Sequence, residues 1–589
     1  MEVEREIEPD VDPRRAPRHL VTSGLRELWP EEGPVLLAGE WCRPRALMSL
    51  AEGRDVEICP YHWDDRQKLA DDAVRLGSLY EVLLPKVGGW LDEVHGESHE
   101  VRYWRILVGP WLNRMVHVLF DRWETLRTAV ETGGITGTTV LVDEADHWVP
   151  TDMTDFWRLA NTADGNQHLY GLLLRSHLEV PGTEFVARGR PVEGGVSVAS
   201  PKAPVRERIL DLASRLTGAL TRPDDPFLIS TFMRWRDELS LSRRLCGVPH
   251  LWRHVPGVER HTPDPEIRAR RIPLDTEDPF ESALCELLPA LMPTSYLEGY
   301  RSLCAKVEET PWPRRPKVIW TTRVGRDDVL KAYIASRVEA GSALVTGQHG
   351  GYYGTKRWMA DEDHETVIAD RVMSWGWKGP DGGNVAPVGQ FRHLRATGVD
   401  HSEAANLCLV QTADHQQAFL ADPMLLSRQW LDYFDEQCRF VEGLPTEVHD
   451  ATTVRLYPLD YQWGQADRWR ERLPDVRLEA QGPPLIEQFP DCRILVASYM
   501  GTAYLQSLAA GVPTVVFWNP DHWMVREEAA PFFDLLRNVG VFHDTPESAA
   551  AHVAAVWSDV GSWWESSEVV DAVEAAVVSL EGDPVFDAG

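Results

Sequence analysis

The chain has 589 residues, of which 43% are hydrophobic and 26% charged. This is a globular mixture, large enough for two or more domains, and it excludes a mainly disordered or collagen-like chain. Sixty Lys and Arg face 91 Asp and Glu, leaving a formal charge of −31, which argues against a general nucleic-acid binder because that affinity comes from neutralising phosphates.

The N-terminus, MEVEREIEPD, is acidic and lacks the basic start and apolar stretch of a secretory signal. No apolar run approaches the roughly 20 residues of a membrane span. The expectation is a cytoplasmic protein. Eight scattered cysteines form no CxxC pair, so buried free thiols are expected rather than a zinc or redox site. Most of the 24 tryptophans are expected to fill the core.

Residues 1–32 are charged and proline-bearing, and are expected to be a loose lead. Val35–Cys42 (VLLAGEWC) and the run that begins at Glu57 read as short buried strands, the second stopped by Pro60 before a cluster of polar and aromatic groups. Trp104, Leu107, Val108, Trp111, Met115, Val118 and Leu119 recur at helical spacing, predicting a core-facing helix begun or kinked at Pro110. Thr138–Val142 is a further candidate strand. Arg190–Val205 and His254–Phe280 read as long surface loops.

From Lys317 the rhythm alternates. Val318–Thr321 is a strand, Asp327 or Asp328 caps a helix that Gly341 closes, and Ala343–Thr346 is the next strand. Asp361–Glu365 (DEDHE) reads as a solvated loop, and Thr366–Trp375 as a strand. Lys378–Gln390 has the composition of a linker, and strands restart at Leu407, Thr453, Ile494 and Thr514. The prediction is an α/β protein with parallel sheets, two Rossmann-like domains facing a cleft. Their bounds are 33–390, the acceptor side with helical insertions, and 391–579, the donor side, with a tail at 580–589.

Four strand ends carry candidate chemistry. In Ser498–Trp518 a strand ends at Ser498, Gly501 allows a turn, and Thr502 reads as the N-cap of the next helix, whose free N–H groups favour an anion. The plainer alternative is an ordinary capped β-turn-α unit. In Val454–Tyr461 (VRLYPLDY), Arg455 either holds a phosphate or forms an ion pair on the outer face. In GQHGGYYG, Gln348, His349, Gly350 and Gly351 follow a strand. The glycines allow close approach to a ligand, and His349 is a candidate base; the alternative is a glycine turn with a structural histidine. This spacing matches neither GxGxxG nor a Walker loop, so a dinucleotide or P-loop ATP site is not supported. Near the N-terminus, Glu40 and Asp64 are carboxylates at sheet ends that could deprotonate a sugar hydroxyl; a helix-capping Asp explains the latter equally well. No metal constellation has convincing spacing.

VLLAGEWC, YHWDDR, VRYWRILVGPW with HVLFDRW, GQHGGYYG, VRLYPLDY, the Ser498 turn, and FWNPDHW through VGVFHDTPESAA together resemble one bacterial family. It is the family of surface-polysaccharide transferases first associated with leptospiral O-antigen gene clusters. The resemblance implies a glycosyltransferase-B-like fold and a role in cell-surface carbohydrate or O-antigen assembly. A strand ending in Tyr-Pro, followed by one ending in Ser-x-x-Gly-Thr, is also similar to the donor site of bacterial sialyl-, Kdo- and polyol-phosphate transferases. There a His stands where Tyr457 is, and a ribose-binding Glu where Gln506 is; Gln can hydrogen-bond a hydroxyl but carries no charge. The expected activity is transfer from a nucleotide-activated sugar or polyol to a glycan or glycolipid acceptor, with no cofactor and no metal, and with peripheral membrane association possible. The donor would be held by Ser498, Gly501, Thr502, Arg455 and Tyr457, with His349, Asp64 and Glu40 as candidate bases. The alternatives are a binding protein without turnover and a nucleotide-sugar epimerase.

Overall fold

A computed structural model describes residues 17–143, 145–188, 221–245, 247–248, 252, 255–379, 383–389, 401 and 404–581. Its framework is three sheets, and every strand pair in them is parallel. The first sheet holds β1 (Arg18–Val21), β2 (Val35–Leu37), β3 (Val56–Ile58), β4 (Ile135–Val142) and β5 (Thr183–Ala187), in the order β3-β2-β1-β4-β5. The second holds β6 (Phe227–Ile229), β7 (Val318–Thr321), β8 (Ala343–Gly347), β9 (Arg371–Ser374) and β10 (Val385–Pro387), strictly in sequence. The third holds β11 (Asn406–Val410), β12 (Thr452–Arg455), β13 (Arg477–Glu479), β14 (Cys492–Ala497), β15 (Thr514–Phe517) and β16 (Phe542–His543), in the order β13-β12-β11-β14-β15-β16.

The first and third sheets thus have the Rossmann order, reversing direction beside β1 and β11, where such sheets bind ligands. The α/β class holds. The stretch predicted as one N-terminal domain carries a second parallel sheet in addition. β1 lies inside the predicted loose lead, at the centre of the first sheet, with Leu20 and Val21 buried. Its apolar run is too short, among prolines and charges, to show a period. β10 lies inside the predicted linker and pairs with β9.

Long helices bury what the strands do not. α1 (Arg66–His95) starts at Asp65, whose carboxylate accepts from the N–H groups of Gln67 and Lys68, the cap such an acceptor side chain supplies. α2 (Val101–Leu107) and α3 (Gly109–Thr132) are separated at Val108, with Pro110 in the first turn of α3. α4 (Met153–Ala160) and α5 (Ala163–Ser176) are capped by Asp152 and Thr162. α6 (Asp328–Glu339) follows β7, and Gly341 closes it at φ 98°. The capping position is Asp327; Asp328 is instead buried and bound to Ser295, Tyr296 and Lys331.

α7 (Ala360–Ile368) contains the whole DEDHE segment. The predicted solvated loop is a helix with Glu362 and Glu365 buried, and β9 begins only at Arg371. α8 (Gln429–Glu442), α9 (Gln465–Arg472) and α10 (Thr502–Ala509) belong to the third sheet. The connection before α8 crosses over: Ala418, Phe419, Ala421 and Leu426 pack into the N-terminal core. The predicted loop Arg190–Val205 lies outside the described residues, as does 582–589 of the tail.

Candidate functional site

A cavity of about 760 Å³ opens where strand ends from all three sheets converge. Ser23 and Gly24 follow β1 and Trp41 follows β2. Asp152, Trp157 and Asn166 come from the segment after β4, Arg326 follows β7, His415 and Gln417 follow β11, and Leu459 and Tyr461 follow β12. Every contribution lies beyond a carboxyl end, where open α/β sheets present loops and free helix starts.

Local packing sets this wall. Trp41 is 4% exposed and its indole donates to the Thr22 carbonyl; a Cβ on Gly39 would lie 2.2 Å from its ring, so only glycine leaves room there. Ser23 Oγ donates to the Ala163 carbonyl at 2.6 Å, fixing the β1 end to α5. Trp157 stacks on Phe419 with centroids 4.3 Å apart. Its ring lies 5.1 Å from the Arg326 guanidinium and 5.5 Å from that of Arg114, a cation–π setting.

Arg323 and Arg326 are both exposed and form no ion pair among the described residues. Asp152, on the cavity wall, has its carboxyl raised by burial, with Asp328 adding to the shift. His415 is lowered to about 4, by burial first and then by Arg122. Tyr457 stacks with Tyr461 at 6.0 Å, and the charges of Asp414 and Arg326 reach both rings.

His349 follows β8. Gln348 fixes this corner: its Oε1 accepts from Trp375 N and Trp377 Nε1, and its Nε2 donates to the Gly350 carbonyl. The His349 side chain is 37% exposed. Its pKa is nonetheless lowered, by burial first and by Arg323, Arg114 and Arg326, against the opposing charge of Asp361.

The structure joins two of the predicted motifs directly. Gly351 N donates to Thr502 Oγ1 at 3.0 Å, and a Cβ on Gly351 would lie 2.5 Å from Gly501 O and 2.9 Å from Thr502 N. The GQHGGYYG loop therefore sits on the start of α10. The N-cap position is Gly501, not Thr502, and the Gly351 backbone packs against it.

Other candidates are placed elsewhere. Ser498 is fully buried: its hydroxyl donates to Val410 O at 3.0 Å or Gln437 Oε1 at 2.8 Å and lies 3.0 Å from Tyr433 OH. Its hydroxyl is engaged within the protein, behind the strand end. Arg455 pairs with Glu479 at 2.6 Å and reaches Gln488 Oε1 and Pro483 O, the ion-pair alternative weighed for it. Asp64 pairs with Arg428 and accepts from Gln429 Nε2; Glu40 pairs with Arg43. Gln506 is half-buried on α10.

Sequence reasoning missed Asp152, Trp157, Arg323, Arg326, His415 and Tyr461. The signal for Arg323 and Arg326 was present in TTRVGRDD, a strand end followed by a glycine turn and a helix. A second cavity, of about 550 Å³, lies between α1, α3 and α7, and includes Tyr80, His117 and Trp358 in its wall. Among the described residues no three His, Cys, Asp or Glu side chains are placed to share a metal ion, and no helix is long and apolar enough to cross a membrane.

Rossmann-ordered parallel sheets with a cavity at their carboxyl ends define a protein of the α/β class. A family model, LIC12162 family transferase, matches residues 18–577, and the chain belongs to this family of transferases. No curated protein matches the sequence. Among solved structures it is similar to S. aureus MnaA in a co-structure with UDP, at 9% identity and TM-score 0.32, over 49% of this chain and 77% of that one. It is similar to TarM at 8% identity and TM-score 0.28, over 45% of this chain and 50% of that one. A third similarity is to WaaG, a glycosyltransferase involved in lipopolysaccharide biosynthesis, at 11% identity and TM-score 0.28, over 61% of this chain and 100% of that one.

Proposed function

We propose that this chain is a glycosyltransferase-B-like enzyme that moves a glycosyl or polyol-phosphate unit from a nucleotide-activated donor to a glycan or glycolipid acceptor of a cell-surface polysaccharide. The observation that carries the reading is the cavity with Arg326 on its wall. A guanidinium that forms no ion pair among the described residues, at the carboxyl end of a parallel sheet, suits the diphosphate or phosphate of an activated donor. Membership of a transferase family supports the same reaction class.

Trp157, Tyr457 and Tyr461 offer faces for a base or sugar ring. Arg323 and Arg326 meet the charge that grows on the departing phosphate, a preorganised electrostatic role. His349, within reach of the same two arginines' charge and neutral at pH 7 by the direction of its shift, takes the proton of the attacking hydroxyl. The acceptor oxygen forms the new bond, and the nucleotide leaves with the electron pair of the bond it loses. No cofactor is needed, and no divalent metal.

A thermal-shift panel of nucleotides and nucleotide sugars tests donor binding, since a ligand held by the folded state raises its melting point. The donor found is then incubated with and without glycan acceptors. Transfer that survives EDTA supports the proposal, whereas loss restored by magnesium or manganese removes its metal-free part. Binding without turnover would indicate a binding protein, and an altered sugar released without acceptor an epimerase.

A further inference from the structure

Tyr353 of GQHGGYYG and Glu365 of DEDHE, 12 residues apart in the chain, meet in a buried contact behind His349. Tyr353 is 3% exposed, and its hydroxyl donates to Glu365 Oε1 at 3.0 Å. The same hydroxyl lies 3.0 Å from His349 Nδ1 and 3.4 Å from Nε2. Glu365 is 3% exposed, and its Oε2 meets no hydrogen-bond partner.

The other carboxylates of this helix face are matched. Asp361 pairs with Arg114, and Glu362 accepts from Arg526 and from Gly354 N. Among the described residues, Glu365 is left with one group at ion-pair distance, His349 Nδ1 at 3.7 Å. A buried carboxyl whose contacts are a hydroxyl and an imidazole is costly as mere structure. It makes sense if it governs the hydrogen on the imidazole.

A hydroxyl has one hydrogen to give. Given to Glu365, that hydrogen leaves the Tyr353 oxygen as an acceptor, and the nearer ring nitrogen must supply the N–H. Which nitrogen of a histidine carries its hydrogen is set by the partner of the other.

We infer that Tyr353 and Glu365 are positioning residues for His349: Glu365 holds the Tyr353 hydroxyl hydrogen, so that His349 carries its own on Nδ1 and keeps Nε2 unprotonated. A proton arriving from an attacking hydroxyl then lands on Nε2. The Nδ1–H stays in place and no bond in the relay breaks; burial raises the Glu365 carboxyl well above its usual range, and its Oε1 accepts from Tyr353 whether or not Oε2 carries a proton. The other charged groups acting on the ring are Asp361 from α7, Arg114 from α3, and Arg323 and Arg326 after β7.

The inference deepens the reading of His349 as base, but its test does not depend on a donor. Protein labelled with ¹⁵N in its histidine rings is examined at pH 8 by two-bond nitrogen–proton correlation, and the His349 signals are identified by their loss in His349→Gln. The wild type should carry its hydrogen on Nδ1. Tyr353→Phe, which removes one oxygen atom, and Glu365→Leu, which frees the hydroxyl to donate to Nδ1, should both move the hydrogen to Nε2. If Glu365→Leu does not fold, Tyr353→Phe decides alone. A wild-type His349 with its hydrogen on Nε2, or one that keeps it on Nδ1 in Tyr353→Phe, overturns the relay. An Nδ1–H tautomer lost in Tyr353→Phe, together with full transfer by His349→Gln, leaves the relay standing and removes the base assignment instead.

Discussion

Arg326 and Ser498 separate a ligand-facing group from a structural one. Arg326 lines the cavity, is exposed, and forms no ion pair among the described residues. Arg326→Ala should therefore cost donor affinity about 2 kcal/mol, roughly 30-fold. The ligand-free protein should lose no more than about 0.5 kcal/mol, as exposed substitutions usually do. Isothermal titration and urea unfolding measure the two, and an equal loss in both would make Arg326 a folding residue. Ser498 should behave in the opposite way. Its hydroxyl is fully buried among Val410 O, Gln437 and Tyr433, so Ser498→Ala should destabilise by about 1–3 kcal/mol and leave nucleotide affinity unchanged. Both residues lie beyond the carboxyl end of a strand, and only the side chains packed around them distinguish the roles.

α3 shows how an element carries pH sensitivity. His117 is buried on it, and its Nδ1 accepts from Ala421 N at 3.0 Å, linking the helix to the connection before α8. Burial, helped by Arg114, lowers its pKa from 6.5 to about 3. The unfolded chain thus binds a proton that the folded state refuses between those values. Stability is lost as pH falls through that window, by about 1.4 kcal/mol per pH unit for one fully buried group. Urea unfolding at pH 5 and pH 7 should show a shallower acid loss in His117→Gln than in the wild type, and parallel losses would show that His117 does not titrate this way. α7 teaches the complementary lesson. All five residues of DEDHE are titratable, four acidic and one histidine, which reads as a solvated surface, yet Arg114 and Arg526 arrive from distant parts of the chain to match Asp361 and Glu362.

Contacts across the predicted linker decide how the whole molecule comes apart. Ala418, Phe419, Ala421 and Leu426 are buried in the N-terminal core. Lys356, 4% exposed, pairs with Asp422, and Arg122 donates to the Ala418 carbonyl. Arg66 reaches the carbonyls of Met424 and His522. Cleavage within 378–390 should therefore give two fragments that co-elute on gel filtration without denaturant and separate only in urea. Fragments that part in buffer and each unfold cooperatively would show two independent domains instead. Breaking a buried pair such as Lys356–Asp422 strands a charge, so Lys356→Met should loosen the association of the nicked halves.

The sequence by itself determined the α/β class, most strands after Lys317, the helix break at Pro110 and the strand-end positions of His349 and Tyr457. Those features are local: a short apolar run, a proline, a glycine turn or a cap acts over a few residues and leaves its mark in them. β1 escaped because four residues of a central strand give no period, and its neighbours β2 and β4 are supplied from further along the chain. Only the tertiary structure decided which strand ends share a cavity, that Gly351 packs on the start of α10, and that Arg455 pairs with Glu479. It alone brought Glu365 behind His349. Each of these depends on partners many residues distant, and burial and pairing are properties of the assembled neighbourhood rather than of any segment.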